Sequence, residues 1–280
     1  MKLFGRRSKE RIDQVAGVID DYELPSFPAV IAEALSRIGD PEVELAEVAD
    51  LLTMDPGMTA RLLRLANSPA TGLRNPVHDL RQVVALLGRN QVESILISAG
   101  VRAALPSVAS PVFDSSRFWR AAAQRAVVAT AVSARLQPSQ RSETFTAALL
   151  QDMALPVLVD HVEGYDRLLQ RWYEGEIPDL AKAEADTFGW DHAAVAGRMA
   201  QAWAFPDALL EALTDHHDGF DTDVMVWLRL VAGWQEANPD LSREELLRNA
   251  GQIPQLASLD CEALLDDALE GVDEVASLIT

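Results

Sequence analysis

This chain is poor in cysteine, in basic residues and in long apolar runs. One cysteine, Cys261, stands among 280 residues. No internal disulfide can form, and such usage fits a reducing cytoplasm, the expected compartment. No activating base lies beside Cys261 in the sequence, so it reads as a passive thiol. No stretch of about 18 uncharged apolar residues occurs, so no membrane span is expected. The N-terminal MKLFGRRSKER is basic but lacks the apolar run of a secretion signal. A Gly-rich phosphate loop and a nucleophile elbow are both missing. Lys and Arg total 24 against 43 Asp and Glu, for a net charge of −19. A surface of that sign repels phosphate backbones, so nucleic acid is not expected as a partner.

The charge is uneven. Lys2, Arg6, Arg7, Lys9 and Arg11 crowd the N-terminus, while Asp260, Glu262, Asp266, Asp267, Glu270, Asp273 and Glu274 crowd the C-terminus. Both ends read as solvated tails or faces.

Helix signals fill the rest. Apolar residues recur at three and four, as in Val43, Leu45, Ala46, Ala49 and Leu52, and no window alternates in the manner of a strand. Asp40-Pro41 and Asp55-Pro56 each offer a capping acid before a proline, and Pro178 and Pro206 look like helix starts. The patterns predict short helices across 10–105, a long helix near 115–136, and helices near 143–160, 163–174, 178–187, 191–203, 206–217, 222–237, 241–249 and 260–278. A proline-rich loop at 105–113 is the best internal boundary. The expected fold is all-α.

Specific stretches then become recognisable. LPSFPAV (24–30), DPGMTARLLRLANS (55–68) and GLRNPVHDLRQVVALLG (72–88) resemble the first half of the HDOD family, bacterial signalling modules related to HD-domain metal phosphohydrolases. FWRAAAQRAVVATAVSARL (118–136), AALLQDMALPVL (147–158) and FGWDHAAVAGRMAQAWAFPDALLEALTDHHD (188–218) continue the likeness in family order. The resemblance covers about 22–218. It implies an N-terminal helical bundle (about 22–105) packed on an HD-like helical lobe (about 114–218). Residues 1–21 form a basic tail and first helix, and 219–280 an acidic helical extension.

The resemblance also says where metal ligands of an HD hydrolase would fall. Such enzymes gather His and Asp side chains around ions that lower the pKa of a bound water. A His commonly follows the aromatic-Trp-Arg opening of the long helix; here Ala121 stands there. The His–Asp pair would fall at Gln151-Asp152, so only the acid remains. His192 matches a later His, and His216 and His217 match a final pair. The Gly-Tyr-Pro signature of the phosphodiesterase variant is missing after that pair. The implied remnant pocket is Asp152, His192, His216 and His217, with Ala121 and Gln151 in place of ligands. Neighbouring helical residues point about 100° apart, so His216 and His217 are not expected to serve one ion as equals. No metal or other cofactor is expected, and no catalysis. The expected role is a non-catalytic signalling or scaffold protein whose partners are other signalling proteins. The alternative is a metal-dependent phosphohydrolase or nucleotide-binding sensor with a reduced ligand set. Trp172, Trp190 and Trp203 read as core or rim.

Overall fold

Acids set many of the helix starts. Asp55, Asp79, Asp114, Asp179 and Asp191 each accept from a backbone N–H three residues on, at 2.8–3.0 Å. Each satisfies a donor that the first turn leaves without an intrahelical acceptor. Asp40 behaves differently. Its carboxylate takes the N–H of Glu42 at 2.9 Å, closing a turn, and the next helix begins four residues after Pro41, at Leu45.

The structure is a computed structural model that describes residues 4–19, 24–67, 73–217, 223–235, 239–270 and 272–279. It is all-helical, with no strand among the described residues. Helix α1 (Phe4–Ile19) leads into a first lobe of α2 (Ala29–Gly39), α3 (Leu45–Thr53), α4 (Pro56–Ala66), α5 (Leu80–Leu87) and α6 (Arg89–Ala104). The second lobe holds α7 (Ser115–Leu136), α8 (Arg141–Leu150), α9 (Leu155–His161), α10 (Tyr165–Tyr173), α11 (Leu180–Phe188), α12 (His192–Ala202) and α13 (Asp207–Asp215). The acidic C-terminal part supplies α14 (Asp223–Val231), α15 (Pro239–Ala250), α16 (Cys261–Glu270) and α17 (Val272–Ile279). Asn67-Ser68-Pro69 and Gly72 read in the sequence as a helix end and a turn, and residues 68–72 lie outside the described residues.

Three departures from the sequence reading bear on the site. The helix expected over 143–160 is two helices, broken by a turn at 151–154, the position of Gln151 and Asp152. The basic N-terminal segment is no free tail: α1 packs on α12 and α13, burying Ile12 and Val15. The acidic C-terminal helices α16 and α17 lie along α7, with α17 also reaching α4 of the first lobe. Leu264, Leu265 and Val272 are buried there, and Leu269 is half-buried.

One apolar core runs through both lobes, which meet where α6 packs on α8. The Leu24–Val30 motif adds a second fastening. Phe27 packs on Trp203 and Phe205 of the second lobe, with ring centroids 5.3 and 5.5 Å away. Trp203 Nε1 donates to Pro25 O at 3.0 Å. Phe27 lies flush on Gly100 of α6, so that a methyl group at Gly100 would overlap its ring. Gly100→Ala is therefore expected to lower stability by about 1–3 kcal/mol, as overpacking does, read as a fall in the urea midpoint. An unchanged midpoint would show that Phe27 can yield without cost.

Candidate functional site

The turn at 151–154 carries Asp152 into the interior, where it is 3 % exposed. Its Oδ2 pairs with the Arg125 guanidinium of α7 at 2.8 Å. Arg125, itself 2 % exposed, also donates to Trp234 O at 3.1 Å. The other carboxylate oxygen, Oδ1, faces His192 Nε2 at 3.5 Å and His216 Nε2 at 3.6 Å.

His192 opens α12. Its Nδ1 lies 2.7 Å from Glu184 Oε2, and its backbone N–H donates to the same oxygen at 2.8 Å. The second oxygen of Glu184 accepts from the buried Tyr165 hydroxyl. On the opposite side, His192 Nε2 lies 2.9 Å from His217 Nε2. The chain thus runs Tyr165, Glu184, His192, then His217 or Asp152.

His216 and His217 both reach this cluster, against the expectation from helical spacing. Helix α13 ends at Asp215, His216 is its C-cap with dihedrals still in the right-handed helical region, and His217 falls in the following turn. Their rings lie 4.1 Å apart between centroids, and His216 Nδ1 meets Leu213 O at 2.9 Å. One nitrogen from each of His192, His216 and His217 lies within 4.8 Å of the others.

Charge in the pocket follows from these contacts. Burial pushes the Asp152 carboxyl up, but Arg125, His192 and His216 together outweigh it and hold the group well below the usual carboxylate range. Burial pushes His192 down, and Glu184 and Asp152 reverse this, raising it well above an ordinary imidazole. His217 goes the other way: burial and the neighbouring His216 and His192 rings keep it neutral.

Ala121 and Gln151 are both buried. Neither amide atom of Gln151 has a hydrogen-bond partner. Among the described residues, one group of His, Cys, Asp and Glu side chains has the spacing to hold an ion, that of His192, His216 and His217. For a single ion the residues do suffice: three imidazoles and one carboxylate converge, and the buried Asp152 Oδ1 and His216 Nε2 have no hydrogen-bond partner. Ligands on one tetrahedral zinc lie about 3.3 Å apart, from bond lengths near 2.0–2.1 Å. The Asp152–His separations are close to that, while the His192–His217 contact is shorter.

Asp152, His192 and His217 line a cavity of about 630 Å³, within the range of small-molecule sites. Its lining also includes Arg229 of α14, Glu245 and Asn249 of α15, and Gln252 in the turn after α15. The start of α11, with Asp179 and Lys182, forms one side. His78 is exposed, and His161 sits 3.8 Å from Asp160 at the end of α9, away from this cluster. Trp172 and Trp190 are buried and Trp203 half-buried.

Sequence reasoning missed Arg125 and Glu184. Both carried a signal. Arg125 is a lone charge among Ala121, Ala122, Ala123, Ala126 and Val128, all buried. Glu184 follows Leu180 at helical spacing on the inward face of α11. A charge on an apolar face demands a buried partner.

The HDOD domain family model matches residues 24–219. A curated Treponema pallidum (strain Nichols) protein, itself uncharacterized, is 24% identical over 208 residues, covering 73% of this chain and 39% of that protein. The chain thus matches about two fifths of that relative's length. Among solved structures, a Shewanella amazonensis SB2B protein named provisionally as a phosphohydrolase superposes with a TM-score of 0.72 at 21% identity, covering 98% of each chain. A Geobacter sulfurreducens HDOD domain protein of unknown function gives 0.69 at 19%, covering 97% of each. A Marinobacter aquaeolei VT8 protein named provisionally for signal transduction gives 0.68 at 16%, covering 97% of this chain and 65% of that one. At these identities the likeness is one of fold.

Proposed function

Since this chain belongs to the HDOD family, we propose that it is a non-catalytic signalling module that acts by binding other proteins. Its histidine pocket serves in this reading as a polar core. One observation carries it: the buried Arg125 guanidinium sits on Asp152 at 2.8 Å. A protein cation already neutralises the acid that a metal would need. Arg125 answers the Asp152 carboxylate at 2.8 Å, and the His192 ring meets Glu184 at 2.7 Å. Gln151 and Ala121 support the same reading, since neither replaces a histidine nitrogen as a ligand.

The second reading is a pocket that holds one metal ion. It is favoured by the unpartnered Asp152 Oδ1 and His216 Nε2, which face each other across 3.6 Å. Asp152, His192, His216 and His217 would hold the ion, which supplies a Lewis acid and a bound water of lowered pKa. Arg125 and Glu184 would then orient Asp152 and His192, and the cavity would admit a phosphorylated small molecule.

Elemental analysis and hydrolysis assays separate the two. The protein is purified without chelator or metal-affinity tag and assayed with phosphodiesters and nucleotides under added manganese or iron. The expected result is no stoichiometric metal and no turnover. Turnover in the wild type that disappears in Asp152→Ala would replace the signalling reading with the enzyme.

A further inference from the structure

Helix α1 lies outside the stretch that matches the family, yet it is seated on the two helices that bring the histidines together. Ile12 and Val15 are buried in that seat. Gly197 of α12 makes room for it: a Cβ there would overlap Thr214 Oγ1 and lie 3.1 Å from Ile12 Cγ1. Polar contacts then lock the helix in place. Ser8 Oγ donates to Asp215 Oδ2 at 2.7 Å. One terminal nitrogen of Arg11 reaches both oxygens of Asp191, at 2.8 and 2.6 Å. The other lies 3.5 Å from Asp215 Oδ1.

The placement of these acids is what matters. Asp191 immediately precedes His192 and caps α12 through Ala194 N–H. Asp215 is the last residue of α13 and immediately precedes His216 and His217. A single guanidinium therefore ties together the residues just ahead of both histidine segments. The side chains of Arg11, Asp191 and Asp215 are 13 %, 15 % and 8 % exposed, so solvent screens this clamp far less than an exposed pair. The planar fork of arginine can hold two carboxylates at a fixed separation, which a lysine ammonium does less well.

We infer that Arg11 is a positioning residue for the histidine cluster, and that α1 sets the spacing between the start of α12 and the end of α13 from outside the HDOD match. This role holds whether the pocket is polar core or ion site, so its test is independent of the hydrolysis assay. The readout is the ring signals of the five histidines in the full-length, isotope-labelled protein by NMR. In Arg11→Gln the rings of His192, His216 and His217 are expected to shift, while His78 and His161 stay in place. Arg11→Lys should shift them less. Val83→Ala, a core truncation on α5, should lower the melting temperature without moving the three rings. If Arg11→Gln does not fold, Asp215→Asn removes one arm of the clamp and takes its place. Three site rings left at their wild-type positions in Arg11→Gln, or moved equally by Val83→Ala, would overturn the assignment.

Discussion

Replacing Arg125 by methionine is expected to cost about 3–5 kcal/mol of stability, the usual penalty for stripping a buried charge of its partner. The methionine fills much of the same volume, so the loss is electrostatic rather than a cavity effect. Asp152, 3 % exposed, would keep only His192 and His216 at 3.5 and 3.6 Å. Trp234 O would also lose its donor. The double variant Arg125→Met/Asp152→Asn should recover a large part of the loss, because a neutral amide no longer needs the cation. Urea unfolding of the two single variants and the double closes the cycle, and a coupling well above about 1 kcal/mol marks a desolvated pair. Additive losses would mean that Arg125 and Asp152 do not depend on each other.

The second large effect is a loss of stability on both sides of a pH optimum. His192 has a folded pKa raised above its unfolded value of about 6.5. Its contribution is fully present below that unfolded pKa and is lost as pH rises through the folded one. Asp152 and Asp191 have depressed folded pKa values. Their contributions are present above the unfolded carboxylate pKa and are lost as pH falls through the folded ones. Urea midpoints measured from about pH 2 to about pH 9 should therefore decline towards both ends. His192→Gln should flatten the alkaline limb and also shrink the acidic one, because His192 helps hold the Asp152 and Asp191 carboxyls down. An alkaline limb equally steep in His192→Gln would remove His192 as its origin.

Much of the fold could be read from local sequence. The boundaries of α7 follow from Asp114 and the Gln137-Pro138 break, and α12 starts where Asp191 caps it. These features act within one turn of the chain, through a carboxylate meeting a free N–H or a proline refusing a helical neighbour. At Asp40-Pro41 and across 151–154 the helix boundaries differ from the sequence reading for equally physical reasons. Asp40 spent its carboxylate on a turn, since capping needs the following residues to take up helical dihedrals. Across 151–154 the apolar pattern continues through the turn, because those residues are buried on all sides whatever their backbone does.

Sequence alone determined that this chain is helical, that it joins two helical lobes, that its surface is acidic, and which of its histidines stand at the matching positions. Tertiary structure decided where those histidines meet. At the end of α13, His216 and His217 converge on His192. Arg125 came to Asp152 from another helix, Glu184 to His192 from a neighbouring one, and Arg11 to Asp191 and Asp215 from a helix nearly the whole chain away. The reason is the range of the forces involved. Helix formation is set by neighbours three and four residues apart, whereas a buried charge is stabilised by whichever opposite charge the packing brings within a few ångströms.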